Sequence, residues 1–340
     1  MSKQYRACLI GCGRMGATID DEGSSDLPYS HAAGYMAVED IDLIAVSDSV
    51  AGKAEAIQKR YNVPNSYTDY REMIRREQPD IVSIATRPAT HAEMVIFAAE
   101  NGVKGIYCEK PLCCSMEEAD AMVAVCEANG VKFNYGTNRR YIPMFWEMRK
   151  LIESEEIGEL QCVICHCGVG AAQWGHTHTS DMMMYLAGDP DIEFVQGTTT
   201  ANNSDWDGDY LLTDPGIPMG YTQFKNGVYG YQLGASGYEF EVSGSKGKLR
   251  TVANGLVLQC RMQDELPHPV EGIPHESGTV NCIIDLMHAI STDGQTQGNI
   301  RLARRSQEMI LGFVESHRQN GKRVILPLEN RSLYVGRKDW

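Results

Sequence analysis

Three short stretches of this 340-residue sequence hold the residue types that chemistry needs. Gln173 to Asp181, "QWGHTHTSD", puts His176, His178 and Asp181 within six residues. Imidazoles and a carboxylate at that spacing could ligate zinc, could form a catalytic histidine with helpers, or could be a polar helix start with no chemical duty. In "CEKP", Lys110 stands between Glu109 and a proline that restricts its backbone, a good position for chemistry where a strand ends; a solvated lysine at a turn is the plainer alternative. "GCGRMG", residues 11–16, has glycines at its first, third and sixth positions, a pattern that can bring backbone against a phosphate.

The elements around these stretches give them a setting. An apolar strand from Ala7 to Ile10 runs into Gly11-x-Gly13-x-x-Gly16, where a helix is expected to begin. There the first glycine permits the tight turn, the second admits a pyrophosphate to the backbone, the third allows close helix packing, and the helix N-terminus faces the phosphates. Gly11, Cys12, Gly13, Arg14, Met15 and Gly16 are therefore candidate cofactor contacts. The strand "IDLIAVSD" ends in Asp48, an acid suited to the adenosine ribose hydroxyls and repellent to a 2′-phosphate, so NAD is expected over NADP. Gly16 and Asp48 are 32 residues apart, where about 20 is usual. The excess is "DDEGSSDLPYS", a polar, turn-rich insertion before the helix "HAAGYMAVE".

The alternation continues with "YTDYREMIRREQ" as helix, "DIVSIAT" as strand and "THAEMVIFAAENG" as helix, the last with a capping box at Thr90 and Glu93 and a C-cap at Asn101-Gly102. "GIYCEKP", "SMEEADAMVAVCEANG" and "VKFNYG" follow as strand, helix and strand. Over residues 5 to 136 this predicts a doubly wound parallel sheet. Ligands of such sheets bind beyond the strand C-termini, where Gly11–Gly16, Asp48, Thr86-Arg87 and Glu109-Lys110-Pro111 all fall.

The totals exclude several classes. With 43% hydrophobic and 22% charged residues the chain has the balance of a soluble globular protein, and its length suits two domains. A net charge of −14 repels nucleic acid and anionic lipid, so neither is expected as a partner. No apolar run is long enough to span a bilayer and no signal peptide is read, so a cytoplasmic protein is expected. Eleven cysteines without a secreted-scaffold spacing read as reduced thiols.

"GCGRMG", "VSD", "ATRPATHAEM", "CEKPL" and "GTNRRY" together, in this order, resemble the Gfo/Idh/MocA family of sugar and cyclitol oxidoreductases. The resemblance implies an N-terminal Rossmann domain, residues 1–137, and a C-terminal α+β domain, residues 138–340. In such proteins an open, largely antiparallel sheet covers the active site on one face and commonly mediates dimer or tetramer formation on the other. The later segments agree: "PMFWEMRKLIESEEIG" is an amphipathic helix, "YTQFKNGVYGYQLGA" and "YEFEVSGSKGKLRTV" are turn-punctuated strand pairs, and "NIRLARRSQEMILGFVESHRQNG" is a helix. Residues 201 to 220 read as a polar, turn-rich loop, either a lid near the cleft or an ordinary surface loop.

The family's second motif, Asp-x-x-x-His-x-x-Asp at a helix start, aligns His178 with a catalytic histidine, Asp181 with the last acid, and Trp174 with the first acid, which this sequence lacks. A sugar alcohol gives up a hydride to nicotinamide only as its hydroxyl proton leaves, so a base must reach that oxygen. His178 suits the task because imidazole titrates at about 6.5. Lys110 would bond the same oxygen. Asp181 would bind substrate or orient the imidazole. Trp174 is either a stacking platform for a sugar ring or core filler, and His176 either replaces the missing acid or faces solvent. Arg139 and Tyr141 are plausible substrate contacts. Thr86, Arg87, His91 and Glu109 join the cofactor set, Arg87 reaching nicotinamide ribose or substrate.

Two patterns are read as decoys. "CVICH", Cys162 to His166, matches haem attachment but lies in an expected strand, and Met182-Met183-Met184 is expected to be helix core. No metal site is expected. The sequence thus points to an NAD-dependent oxidoreductase acting on a secondary hydroxyl of a sugar, glycoside or cyclitol. The alternatives are a redox-neutral glycoside hydrolase or lyase that oxidises the sugar transiently, a non-catalytic sugar or NAD sensor, and a metal hydrolase using His176, His178 and Asp181.

Overall fold

The computed structural model describes residues 5–23 and 25–340. Residues 1–4 of the expected first domain, and Ser24 in the insertion, lie outside the described residues. The chain forms two compact units, the first from residues up to 113, 118–141 and 276–303, the second from 114–117, 142–275 and 304–340. A single cut after residue 137 therefore does not describe how the contacts group.

In the first unit, strands β1 (Tyr5–Ile10), β2 (Ile41–Ser47), β3 (Asn65–Tyr67), β4 (Ile81–Ile84), β5 (Gly105–Cys108) and β6 (Lys132–Tyr135) form one sheet in the order β3-β2-β1-β4-β5-β6. Every pairing is parallel. Ile81–Ile84 and Gly105–Cys108 are buried throughout, as central strands covered on both faces must be. Helices α1 (His31–Ala37), α2 (Ala51–Arg60), α3 (Tyr70–Glu77), α4 (Pro88–Glu100) and α5 (Met116–Ala128) make the connections. The three-residue β3 escaped the sequence pattern because only two of its side chains are even half buried.

The segment after the glycines is not the α-helix start expected. It makes a π-turn, Arg14–Thr18, then a 3₁₀ turn, Ile19–Glu22, that ends on Gly23 at φ 63°. The Asp20 carboxylate accepts from the Tyr29 N–H (2.8 Å) and the Ser30 N–H, and Arg60 binds Asp21 at 2.7 Å. Ser30 then caps α1, its Oγ accepting from the Ala33 N–H at 3.1 Å. The capping box expected at Thr90 and Glu93 does not form, because Pro88 opens α4 with Arg87 as N-cap. The Thr90 hydroxyl donates to the Arg87 carbonyl instead (2.8 Å), and Glu93 accepts from the Tyr70 hydroxyl (2.6 Å).

The helix Gly278–Thr292, absent from the sequence reading, belongs to this unit. Its buried Cys282, Ile283 and Leu286 cover β5 and β6. Gly105 lies so near that a Cβ there would stand 2.7 Å from Ile290 Cδ1. Asn134 Nδ2 donates to the Cys282 carbonyl at 2.8 Å, tying β6 to the helix.

The second unit holds α6 (Pro143–Glu153), β7 (Leu160–His166), α7 (Thr177–Ala187), β8 (Ile192–Thr198), β9 (Trp206–Asp207), β10 (Tyr210–Leu211), β11 (Met219–Phe224) and β12 (Tyr229–Leu233). After them come β13 (Glu239–Gly244), β14 (Gly247–Val252), β15 (Val257–Met262), β16 (His268–Pro269), β17 (Val324–Ile325) and β18 (Tyr334–Val335). Nine strands form a sheet in the order β16-β15-β14-β13-β7-β12-β11-β8-β17, antiparallel except where β12 meets β7. The architecture is α/β: a parallel Rossmann-type sheet plus an α+β unit with an open, mostly antiparallel sheet. Cys165 on β7 and Met182, Met183 and Met184 on α7 are core residues, as expected. The stretch 201–220 is no free lid: β10 pairs with β9 on one side and with β18 on the other in a small sheet. Among the described residues no helix is long and apolar enough to cross a membrane.

Candidate active site

The parallel sheet gathers the first unit's candidates at its C-terminal edge. After β1, Gly11 adopts φ +93°, and a Cβ there would stand 2.7 Å from the Ala85 carbonyl oxygen. A Cβ on Gly16 would fall 1.9 Å from the Gly11 oxygen. Both glycines are required by the chain's own packing. Gly13 is different: it is extended, at φ −84° and ψ −157°, and an added Cβ would meet nothing within 4 Å. A glycine that the fold does not need, open on its Cβ side, fits a pyrophosphate approaching the backbone.

Asp48, after β2, accepts the Cys12 N–H at 3.0 Å through one oxygen and the Val50 N–H at 2.9 Å through the other. The carboxylate is fixed by backbone, yet each oxygen keeps a lone pair for a ribose hydroxyl. Burial, with the Asp48 charge second, pushes the Cys12 thiol up to about 12, so it stays a neutral filler. Met15 is half buried, and Arg14 pairs with Glu22 on the surface at 2.6 Å. After β4, Thr86 bonds the Thr90 hydroxyl at 2.8 Å, and Arg87 is exposed.

After β5 two of the candidate cofactor residues, Glu109 and His91, are enclosed. Glu109 is only 3% exposed. One of its oxygens meets His31 Nε2 at 3.0 Å and the other accepts the Lys110 N–H at 3.2 Å, so its role is to hold the lysine's backbone from below. His31 continues inward through Nδ1 to Ser83 Oγ (2.9 Å), which also meets the Tyr35 hydroxyl (2.7 Å), and its ring stacks on Tyr107 at 3.9 Å. His91 is buried too, its Nδ1 donating to the Pro111 carbonyl at 2.9 Å, and burial holds its imidazole below the ordinary range. Both residues brace the Glu109–Lys110–Pro111 turn rather than line open space. Lys110, joined to Pro111 by a cis peptide, is half exposed.

After β6 the turn Asn138–Tyr141 carries Arg139, half buried. Tyr141 is not a surface contact: it is fully buried and its hydroxyl donates to Asn134 Oδ1. Arg140, which sequence reasoning passed over, heads the largest fully enclosed side chains.

In the second unit α7 carries the other candidates. His178 sits half exposed on its first turn, and Asp181, three residues on and therefore on the same face, is 1% exposed. That burial limits Asp181 to holding neighbours in place. His176 is neither a surrogate acid nor solvent-facing. It is 1% exposed, its Nε2 accepts the Gly170 N–H at 3.2 Å, and its Nδ1 meets Thr179 Oγ1 at 3.1 Å. Both ring nitrogens are committed inside the protein, which removes it from any metal site with His178 and Asp181. Trp174 is 38% exposed, so it is not core filler. Asp214, also unforeseen, accepts the N–H groups of Gln173 (2.7 Å) and Trp174 (2.9 Å).

Against this geometry stand the comparisons with known proteins. Residues 5–137 match the family described as oxidoreductase family, NAD-binding Rossmann fold. This segment belongs to the Gfo/Idh/MocA oxidoreductases. The chain is 32% identical over 160 residues to scyllo-inositol 2-dehydrogenase (NAD(+)) of Bacillus subtilis, covering 47% of this chain and 43% of that protein. It is 28% identical over 243 residues to an inositol 2-dehydrogenase of Salmonella paratyphi B, covering 66% and 70%. The match thus spans less than half of the first relative. Aldose-aldose oxidoreductase from Caulobacter crescentus, solved with glycerol, shares the fold at a TM-score of 0.80 and 18% identity, covering 95% of this chain and all of that one.

Two measurements test the site's construction. Gly16→Ala is expected to lower stability by about 2 kcal/mol or more in denaturant titration, whereas Gly13→Ala should leave it within about 0.5 kcal/mol and weaken calorimetric NAD binding about tenfold. Loss of stability in Gly13→Ala, or unchanged NAD affinity, would remove the assignment of Gly13.

The second concerns His176. Burial lowers its pKa from the ordinary 6.5 to about 4. Between those values the unfolded chain binds more protons than the folded one, so this contribution is complete above pH 6.5 and is lost as pH falls toward 4. The expected slope reaches about 1.4 kcal/mol per pH unit, and His176→Gln should flatten it; an unchanged slope in the variant contradicts the buried neutral imidazole.

Proposed function

We propose that the protein is an NAD-dependent oxidoreductase acting on a secondary hydroxyl of a sugar, glycoside or cyclitol. The observation that carries this is the strand edge where Gly13, the backbone-anchored Asp48 and the braced Lys110 converge. A bound nicotinamide would supply the hydride acceptor that oxidation of the carbinol carbon needs. The protein's own residues must then take the hydroxyl proton and steady the oxygen left behind. His178 is the base, half exposed at the first turn of α7, and Asp181 orients it from the same helical face. Lys110 donates to the oxygen as charge develops. Arg139 contacts substrate and Arg87 the cofactor or substrate, both from the edge of the parallel sheet. Asp48 favours NAD over NADP, because a fixed carboxylate that accepts ribose hydroxyls repels a phosphate in the same place.

Two further parts of the reading concern surroundings. Eleven free thiols suit a reducing compartment, supporting a cytoplasmic location. On β11 and β12, Met219 pairs with Leu233 and Tyr221 with Tyr231, and Tyr221 also stacks on Tyr229 at 6.0 Å. Met219 and Leu233 are 42% and 37% exposed, so this sheet face supports a homo-oligomer; a monomeric mass in light scattering would remove that part.

Lys110→Ala and His178→Ala are expected to lower sugar-dependent NADH formation by about 10² or more with NAD affinity changed less than about threefold. Turnover unchanged in both refutes the mechanism, and product without NADH accumulation in the wild type favours redox-neutral chemistry.

A further inference from the structure

An indole left in water forgoes the burial that makes tryptophan useful, so a fixed, exposed one calls for an explanation. Trp174 is such a residue. Its N–H and that of Gln173 are held by the Asp214 carboxylate, and the Ala172 N–H donates to the Pro215 carbonyl at 2.7 Å. Trp340 lies beside it, ring centroids 6.5 Å apart and planes inclined at 37°. Trp340 follows β18, which is itself anchored: the Val335 N–H donates to the Cys114 carbonyl at 2.9 Å, and Gln173 Nε2 donates to the Val335 carbonyl at 3.0 Å. The Trp174 segment leads into His178 four residues later.

We propose that Trp174 and Trp340 form a binding platform for the ring attached to the reacting sugar, either the aglycone or the next sugar of a glycoside. Paired aromatic rings sit with centroids about 4.5–7 Å apart. At 6.5 Å the two indoles are already in contact range, so no third ring fits between them and a ligand meets only the faces the pair leaves exposed, Trp174 being 38% exposed. Those faces suit the C–H side of a pyranose or a flat aryl group. Two tilted indoles also extend beyond what a single sugar ring covers, which selects for substrates larger than a monosaccharide. Where a carboxylate at position 174 would bond one hydroxyl, this surface rewards apolar area and tolerates variation in it. The inference rests on the proposed sugar specificity and names the substrate class within it.

The test uses the full-length protein, with calorimetric binding and NADH formation measured for a set of monosaccharides and their phenyl glycosides. The wild type should prefer the phenyl glycoside of its best sugar by about tenfold or more in Kd. Trp174→Ala and Trp340→Ala should each remove most of that preference, weakening the phenyl glycoside far more than the monosaccharide, while changing NAD affinity less than twofold. A wild type without preference, or variants that weaken both ligands equally, overturns the platform even where NADH forms. Glycoside preference lost in the variants, with no sugar oxidised, keeps the platform and sinks the oxidoreductase reading instead. A fall in oligomer size in Trp340→Ala with glycoside preference intact assigns the pair to a subunit contact and overturns the platform.

Discussion

The Glu109 carboxylate is the constraint on which the first unit's site depends. A carboxylate at 3% exposure is costly unless each oxygen is bonded, and here His31 Nε2 satisfies one and the Lys110 N–H the other. The bond to Lys110 sets the direction in which the chain leaves β5. The bond to His31 requires α1 to begin where it does, which explains why the inserted loop is tied down so closely by Asp20 before Ser30 caps the helix. Gly136, after β6, completes the enclosure, since a Cβ there would stand 3.0 Å from Glu109 Oε1. Three separate strand and helix ends thereby meet at one buried carboxyl group.

The second unit solves a different problem on α7. Successive helical residues turn by about 100°, so His176 and His178 point about 160° apart while His178 and Asp181 differ by about 60°. One histidine must face inward if the other faces out. His176 takes the inward role, held neutral between the Gly170 N–H and the Thr179 hydroxyl, and so fixes the turn from which His178 emerges. Asp214 does the same for the residues just before, by accepting two consecutive backbone N–H groups.

Patterns local in sequence were legible without the structure. The glycine fingerprint, Asp48 and the strand preceding Lys110 follow from residue spacing and side-chain period, and the helix start near His178 from the family resemblance. What failed depended on partners distant along the chain. Tyr141 looks like a ligand contact until Asn134 and the helix Gly278–Thr292, which packs on β5 and β6, enclose it. Glu109 and His91 were assigned to a cofactor because their motif was, although burial turns both to bracing. His31 was readable in principle: a histidine directly after a serine cap, inside an otherwise apolar helix, asks for a buried partner.

The same distinction between bracing and contact bears on the missing acid at position 174. In the proposed reaction His178 becomes an imidazolium, and its charge must be balanced nearby. An exposed carboxylate contributes little to that balance because water screens it, whereas one in a poorly polarisable interior acts at nearly full strength. Asp181, at 1% exposure on the same helical face, is the second kind. The electrostatic duty can thus rest on the buried acid alone, and the exposed position is released for other use. Once no charge is required there, what remains is a fixed backbone just before α7, and a large flat side chain can exploit it for apolar contact without disturbing the residues proposed to move the proton.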